Sequence, residues 1–181
     1  METKKPKTMI KSGLISIILL FFISPLMSQG FERQIGVRSG YTSGISGKVI
    51  KDNKVAIDGM FGFRQGGMQL VVLLESYHPL IPSQAREWRI YFGGGGHVGW
   101  VNGYNRVRRW SNSSGYYWEE RRLAGPVFGL DAVFGTEYNF VRVPLALFAE
   151  FKPFVEFQSF KSIKVNFYDF GVGIRYKFGN N

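Results

Sequence analysis

From Phe167 to Phe178 the chain reads "FYDFGVGIRYKF", and every second residue is apolar or aromatic: Tyr168, Phe170, Val172, Ile174, Tyr176 and Phe178. Phe167, Asp169, Gly171, Gly173, Arg175 and Lys177 stand between them. A period of two puts alternate side chains on opposite faces of a β-strand. The same period recurs upstream, with no long amphipathic-helix pattern competing. "RQIGVRSGY" sets Ile35, Val37 and Tyr41 against Gln34 and Arg38; "ISGKVI" is a shorter, weaker segment. "KVAIDGMFGFR" sets Val55, Ile57, Phe61 and Phe63 against Lys54, Asp58 and Arg64, and "MQLVVLLESY" sets Met68, Leu70, Val72 and Leu74 against Gln69, Glu75 and Tyr77. "WRIYFGGGGHVGW" sets Trp88, Ile90, Phe92, Val98 and Trp100 against Arg89, Tyr91 and His97. "PVFGLDAVFGTEY" and "LALFAEFKPFV" follow, with Asp131, Glu137, Glu150 and Lys152 on their polar rows. With the terminal segment, the pattern predicts eight strands.

The two rows decide which face meets what. Arg38, Lys48, Asp58, Glu75, Arg89, His97, Asp131, Glu137, Glu150, Lys152, Asp169 and Arg175 bring both signs of charge to the polar row. Inside a narrow barrel such charges can satisfy one another as a lumen network. Tyr41, Phe63, Trp88, Trp100, Tyr138, Tyr176 and Phe178 gather near segment ends, as aromatic girdles do at two membrane interfaces. The prediction is therefore an all-β, eight-stranded antiparallel transmembrane β-barrel with its apolar row turned to lipid. A soluble sandwich, apolar row inward, is the rival. Strand parity places both termini on the periplasmic side. The periplasmic turns are then "KDN", "HPLIPSQARE" and "NFVRVP", and the outer connections are "TSG", "QGG", residues 101–124 and roughly 157–166.

Composition adds the compartment. "METKKPKTMIK" followed by "LISIILLFFISPLM" and "SQG" has the basic, apolar and small-residue regions of a secretory signal peptide. The apolar run is shorter than the roughly 20 residues a spanning helix needs. Residues 1–28 are read as the cleaved signal, with cuts after Ser28 and Gly30 both fitting, and residues 29–181 as the barrel. Removing four Lys and one Glu lowers the formal charge from +10 to +7. Export excludes nucleic acid as the partner of that charge and favours an anionic surface. With no cysteine, neither a disulfide nor a lipid-modified Cys is available.

Signal, eight alternating segments and a terminal aromatic strand together resemble the OmpX/OmpA-like small outer-membrane β-barrels. "ISGKVIKDNKVAIDG", "YFGGGGHVGW" and "PVFGLDAVFGTEY" look most like the versions found in Bacteroidetes-type bacteria. The resemblance implies residence in the bacterial outer membrane among lipid and lipopolysaccharide. It also implies delivery by the barrel-assembly machinery, for which Tyr176 and Phe178 carry the terminal signal, although Gly179, Asn180 and Asn181 follow where such chains usually stop.

Three features invite a function. "GGGGHVGW" does not lead into a helix, so its glycines are read as bending the strand or making room for lumen side chains. Catalysis would take the form of a lipid A acyl hydrolase or transferase, since some eight-stranded barrels do that chemistry with His, Ser and a carboxylate. His78 and His97 are the two histidines, His78 falls in an expected turn, and neither has a serine two residues on. No cofactor or metal set is visible. The third feature is "VNGYNRVRRWSNSSGYYWEERRLAG", where Arg106, Arg108, Arg109, Arg121 and Arg122 lie among Trp110, Tyr116, Tyr117 and Trp118. Arg and aromatics dominate recognition surfaces; the alternative is that they meet lipopolysaccharide phosphates and the interface. "SNSSG" is a turn, so its flanks are expected to extend strands five and six. The reading that results is a non-catalytic barrel with a structural, surface-interaction or complex-accessory role, the last implying a larger envelope protein complex as partner. A lipid A-modifying enzyme is the alternative.

Overall fold

The computed structural model describes residues 31–64, 66–80, 87–111, 115–158 and 162–178, with side chains placed outside 103–123 and Ser162. The chain is all β. Its elements are β1 (Phe31–Gly40), β2 (Ser43–Lys51), β3 (Val55–Arg64), β4 (Gly67–Pro79), β5 (Trp88–Ser111), β6 (Gly115–Asn139), β7 (Leu145–Phe151), β8 (Phe154–Gln158), β9 (Ser162–Asn166) and β10 (Phe170–Phe178). All pairings are antiparallel, and they close: β1 joins β10 from Arg33↔Phe178 to Gly40↔Gly171. β7 and β8 both pair with β6 and form one stave. β9 and β10 form the next, so ten elements make an eight-stranded barrel.

The last stave breaks because three residues, 167–169, face two, Lys152 and Pro153. Phe170 pairs Phe151 on one side of the break, and Asn166 pairs Phe154 on the other. This one-residue bulge turns Phe167 and Tyr168 both outward while Asp169 is fully buried. The strict alternation expected from 167 to 178 therefore begins only at Asp169. The expected outer connection at 157–166 is likewise mostly strand, because β8 runs to Gln158 and β9 starts at Ser162. Lys54, expected on the row of Asp58, lies exposed in the turn instead.

The turns follow from their residues. Asp52 and Asn53 both hold positive φ, 51° and 53°, and the Lys54 N–H donates to the Lys51 carbonyl at 3.0 Å. The chain therefore reverses tightly within the three residues between the paired Lys51 and Val55, with positive φ at both central positions as in a type I′ turn. Gly66 at φ 77° turns β3 into β4. The start of β1 and the end of β10 share one end with the turns at 52–54 and 140–144 and the end of β4; the opposite end carries the turn at 41–42 and the ends of β3, β5 and β8. Residues 1–30, the expected signal included, lie outside the described residues.

Stagger makes the wall uneven. Stepping across partners from Arg38 leads through Gly44, Gly62, Gln69, Gly99 and Val127 to Gln158 and Ser162. Arg38's own partner on that last stave is Gly173. The offset between Ser162 and Gly173 is the strand tilt that closes a small barrel. β5 and β6 rise furthest, paired to each other as far as Ser111↔Gly115. β4 accompanies β5 only to Val101, and β8 accompanies β6 only to Val127. Beyond those points the two strands form a ribbon, as the flanks of "SNSSG" predict.

Candidate functional site

Faces sort by parity along each strand, and their sense is inverted relative to a soluble domain. Asp58, Glu75, Asp131, Glu137, Glu150, Glu156 and Asp169 are buried carboxylates; Arg38, Lys48, Arg64, Arg89, Lys152 and Arg175 are buried cations. Val72, Leu74, Leu130, Phe134 and Val172 are 50–71% exposed.

At the centre of the lumen Lys48 bonds Glu75 at 2.6 Å and Asp58 at 3.2 Å. Arg175 bonds Asp58 at 2.9 Å, approaches Glu137 at 3.6 Å, and lies 3.6 Å from the centre of the Phe148 ring. Toward the chain-terminal end Arg89 pairs Glu137, and also Glu32 at 3.2 Å. Toward the opposite end Arg38 bonds Glu150 at 2.7 Å and Asp169 at 3.0 Å. Lys152 joins Asp131 and Asp169 at 2.9 and 3.2 Å. His97 sits between Asp131 (Nδ1, 2.6 Å) and Glu156 (Nε2, 3.0 Å), and Glu156 also takes Arg64. Both ring nitrogens of His97 are thus engaged, in a lumen that holds seven buried carboxylates and six buried Lys and Arg among the described residues.

All twelve residues expected on the lumen face are buried and take part in these contacts. Sequence reading put Arg64, Tyr77 and Tyr91 on the polar row without including them in the charge network, and it missed Glu156 and Thr42. Tyr91 donates to Glu150 at 2.7 Å and Tyr77 to Glu137 at 3.3 Å, while Thr42 Oγ1 donates to Asp169 at 2.8 Å. Alternation through "FVEFQ" was the available sign for Glu156, had that stretch been read as strand. No group of three or more His, Cys, Asp or Glu among the described residues is arranged to hold a metal ion.

Several glycines sit where the wall leaves no room for a side chain. A Cβ on Gly93 or Gly95 would collide with the Leu74 and Val72 carbonyl oxygens, so β4 and β5 approach too closely there for any side chain. A Cβ on Gly129 would run into the His97 ring.

His78 corrects an expectation. It is the penultimate residue of β4 rather than part of a turn, exposed on the outer face and stacked on Phe92 at 5.2 Å. Its Nε2 lies 3.2 Å from Ser76 Oγ. The serine precedes the histidine by two residues instead of following it, and no carboxylate among the described residues bonds His78.

The outer belt has aromatic edges at both ends. Phe31, Phe178 and Tyr176 mark one end, with Trp88 against Tyr138 at 4.8 Å; Tyr41, Phe63 and Trp100 mark the other. Tyr176 and Phe178 meet edge to face at 4.8 Å on the last turn of β10. On β6 the outward row from Phe128 to Tyr138 covers about 25 Å of height, taking about 3.3 Å per residue and a tilt of about 40°. That is the height of a bilayer's apolar band.

In the ribbon, register alone places the residues. Tyr104 pairs Arg122, Arg106 pairs Glu120, Arg108 pairs Trp118 and Trp110 pairs Tyr116, all at the register parity of Trp100. Arg109 pairs Tyr117 and Asn105 pairs Arg121 at the opposite parity. The nine expected recognition residues thus divide between the two register parities.

No family model and no curated protein matches the chain. Among solved structures it is similar to the N-terminal β-barrel domain of Pseudomonas aeruginosa OprF. The identity is 13% and the TM-score 0.46, covering 83% of this chain and 98% of that one. The barrel assignment rests on the register and the burial above, independently of this likeness.

Proposed function

We propose that this chain is a non-catalytic outer-membrane β-barrel that serves as a surface-interaction or complex-accessory protein, recognising its partner through the β5–β6 ribbon. One observation carries the reading: an apolar exterior encloses an ion-paired lumen. A soluble monomer rarely leaves more than a few hundred Å² of contiguous apolar surface to water, whereas here the belt surrounds the molecule. Such a surface is covered only in a bilayer, and a closed barrel is the β-structure that crosses one without open edges. In this placement the termini and the connections at 52–54, 80–87 and 140–144 face the periplasm, and the ribbon faces outward. Tyr176 and Phe178 serve the assembly machinery, and the surrounding lipid includes lipopolysaccharide. Pairing of the lumen charges opposes free solute passage.

The test is tagged purification from native outer membranes in mild detergent, followed by mass spectrometry of what accompanies the barrel. A protein at fixed stoichiometry that is lost with Arg108→Ala and Arg109→Ala supports the ribbon reading. Recovery of the chain in the soluble fraction defeats it.

The alternative, a lipid A-modifying enzyme, draws on the Ser76–His78 contact at 3.2 Å on the outer face. A Ser–His pair needs a third group to hold the imidazole and donors for the oxyanion. His97 is 3% exposed with both ring nitrogens engaged, and offers no free base to a lipid. Lipid A from cells with and without Ser76→Ala decides it; an unchanged acyl pattern retires the enzyme.

A further inference from the structure

The outer wall is charged in one place. Along β1 the outward row runs Val37, Ile35, Arg33, and along β2 it runs Ile45, Gly47, Val49, Lys51. On the other eight strands no outward position with a described side chain holds Asp, Glu, Lys or Arg. The lipid-facing rows thus carry two charges among the described residues, both positive, and the two are neighbours. Lys51 pairs with Phe31, so Arg33, two residues further along the same face, is its diagonal partner. Such positions lie about 7 Å apart, within reach of long side chains.

Their level is that of the membrane interface. Phe31 is the direct partner of Lys51, and Phe178 is the direct partner of Arg33. Both rings are exposed on the outer face at the chain-terminal end, and aromatic rings of a membrane protein gather at the height of the lipid headgroups. Ile35 and Val49 continue the apolar row directly inside them.

In the lumen each buried Lys and Arg meets a carboxylate. On the wall the pattern differs. Lys51 Nζ lies 5.9 Å from the centre of the Phe31 ring, and neither Lys51 nor Lys54 forms an ion pair among the described residues. Lys54 is exposed in the turn and tied to Lys51 by its N–H, at 3.0 Å from the Lys51 carbonyl, which brings a third cation to the place. Asp52 is exposed in the same turn and pairs with neither lysine. Arg33 has contacts of its own, and a guanidinium with five donors takes further acceptors. Like charges set side by side across two strands destabilise them; an anion between them reverses the sign, and arginine pairs two phosphate oxygens at once.

Resting on the membrane placement above, we propose that Arg33 and Lys51 hold the phosphate of an anionic phospholipid in the leaflet on the chain-terminal side, with Lys54 beside it. The acyl chains lie along Ile35 and Val49. A headgroup of net negative charge is preferred, because the ammonium of a zwitterionic one would stand among three cations.

The test uses the full chain in detergent micelles holding equal phosphatidylglycerol and phosphatidylethanolamine, read by native mass spectrometry. Wild type is expected to retain one phosphatidylglycerol at least about fivefold in preference to phosphatidylethanolamine, the contribution of one cation at a lipid surface. Lys51→Gln should lower that preference about fivefold, and Arg33→Gln with Lys51→Gln should abolish it. Lys51→Arg keeps the charge and the preference. Lys164→Gln removes an equal charge at the opposite end and should change nothing. Equal retention of the two lipids by wild type overturns the proposal. So does a loss with Lys164→Gln as large as with Lys51→Gln, which would show that net charge alone selects the lipid. Displacement by inorganic phosphate as effective as by added phosphatidylglycerol would mark a bare anion site and overturn the lipid. Recovery of wild type without detergent defeats the membrane placement as well; a micelle-bound barrel without preference defeats this site alone.

Discussion

Replacing Arg175 by Met removes the cation that joins three staves of the lumen. Its side chain is 1% exposed, with Asp58 at 2.9 Å, Glu137 at 3.6 Å and Glu150 at 3.9 Å. Each carboxylate keeps another partner: Lys48 for Asp58, Arg89 for Glu137, Arg38 for Glu150. Methionine fills the volume and keeps contact with Phe148, so the loss is electrostatic rather than a cavity. Breaking a buried ion pair from one side costs about 3–5 kcal/mol, because the surviving charge is left undercompensated. With a urea slope of about 1–3 kcal/mol per molar, the unfolding midpoint should fall by at least about 1 M. Tryptophan fluorescence of the barrel refolded in lipid vesicles reads that midpoint. Arg175→Met combined with Asp58→Asn removes a charge of each sign. It should lose at least about 1 kcal/mol less than the two single losses summed, as contacting residues do. A midpoint shift below about 0.5 M, or strict additivity, would show that the lumen charges are not mutually supporting.

The membrane assignment has its own discriminating substitution. Val172, 60% exposed in the middle of the belt, should cost about 2–4 kcal/mol as Arg if it faces a bilayer midplane; on a solvated face the same change is nearly neutral in urea titrations. Gly129→Ala should destabilise by about 1–3 kcal/mol, since its methyl group enters the His97 ring space; an unchanged midpoint would mean the lumen yields more easily than its packing indicates. In planar bilayers the purified barrel should give no steady open level, because its lumen charges are paired across the bore; a stable ohmic conductance in wild type would refute that closure.

Much of the architecture was legible because a membrane barrel states it twice. Alternation gives the strands, and the kinds of residue on each row give the faces. Asp58 and Arg175 are far apart in sequence, yet a strand of period two leaves each a single face to occupy. Register was less accessible. Nothing local in "FKPFVEFQSFKSIKVNF" reveals that residues 167–169 bulge against Lys152 and Pro153. That is why Phe167 was placed on the wrong row and Glu156 was lost to a supposed loop. Which cation meets which carboxylate depends on stagger summed around the whole wall, and no single segment contains it. His78 was misplaced for a related reason: Pro79 reads as a turn, but as the last residue of β4 it still pairs with Arg89. The ribbon residues were legible as a composition. Their division between two register parities needed the pairing of Trp110 with Tyr116.

The same stagger explains why the ribbon is the part that calls for a function. β3, with ten residues, already reaches from one belt edge to the other. β5 and β6, with 24 and 25, exceed anything the bilayer requires. Beyond Val101 and Val127 they have no third strand among the described residues, and a two-stranded hairpin is marginal in water by itself. Amide exchange at residues 103–111 of the full chain in phosphatidylcholine micelles should therefore be faster than in β1 and β3, where a strand is paired on each side. A ribbon whose protection is as high as that of the barrel would show that it stands on its own pairing.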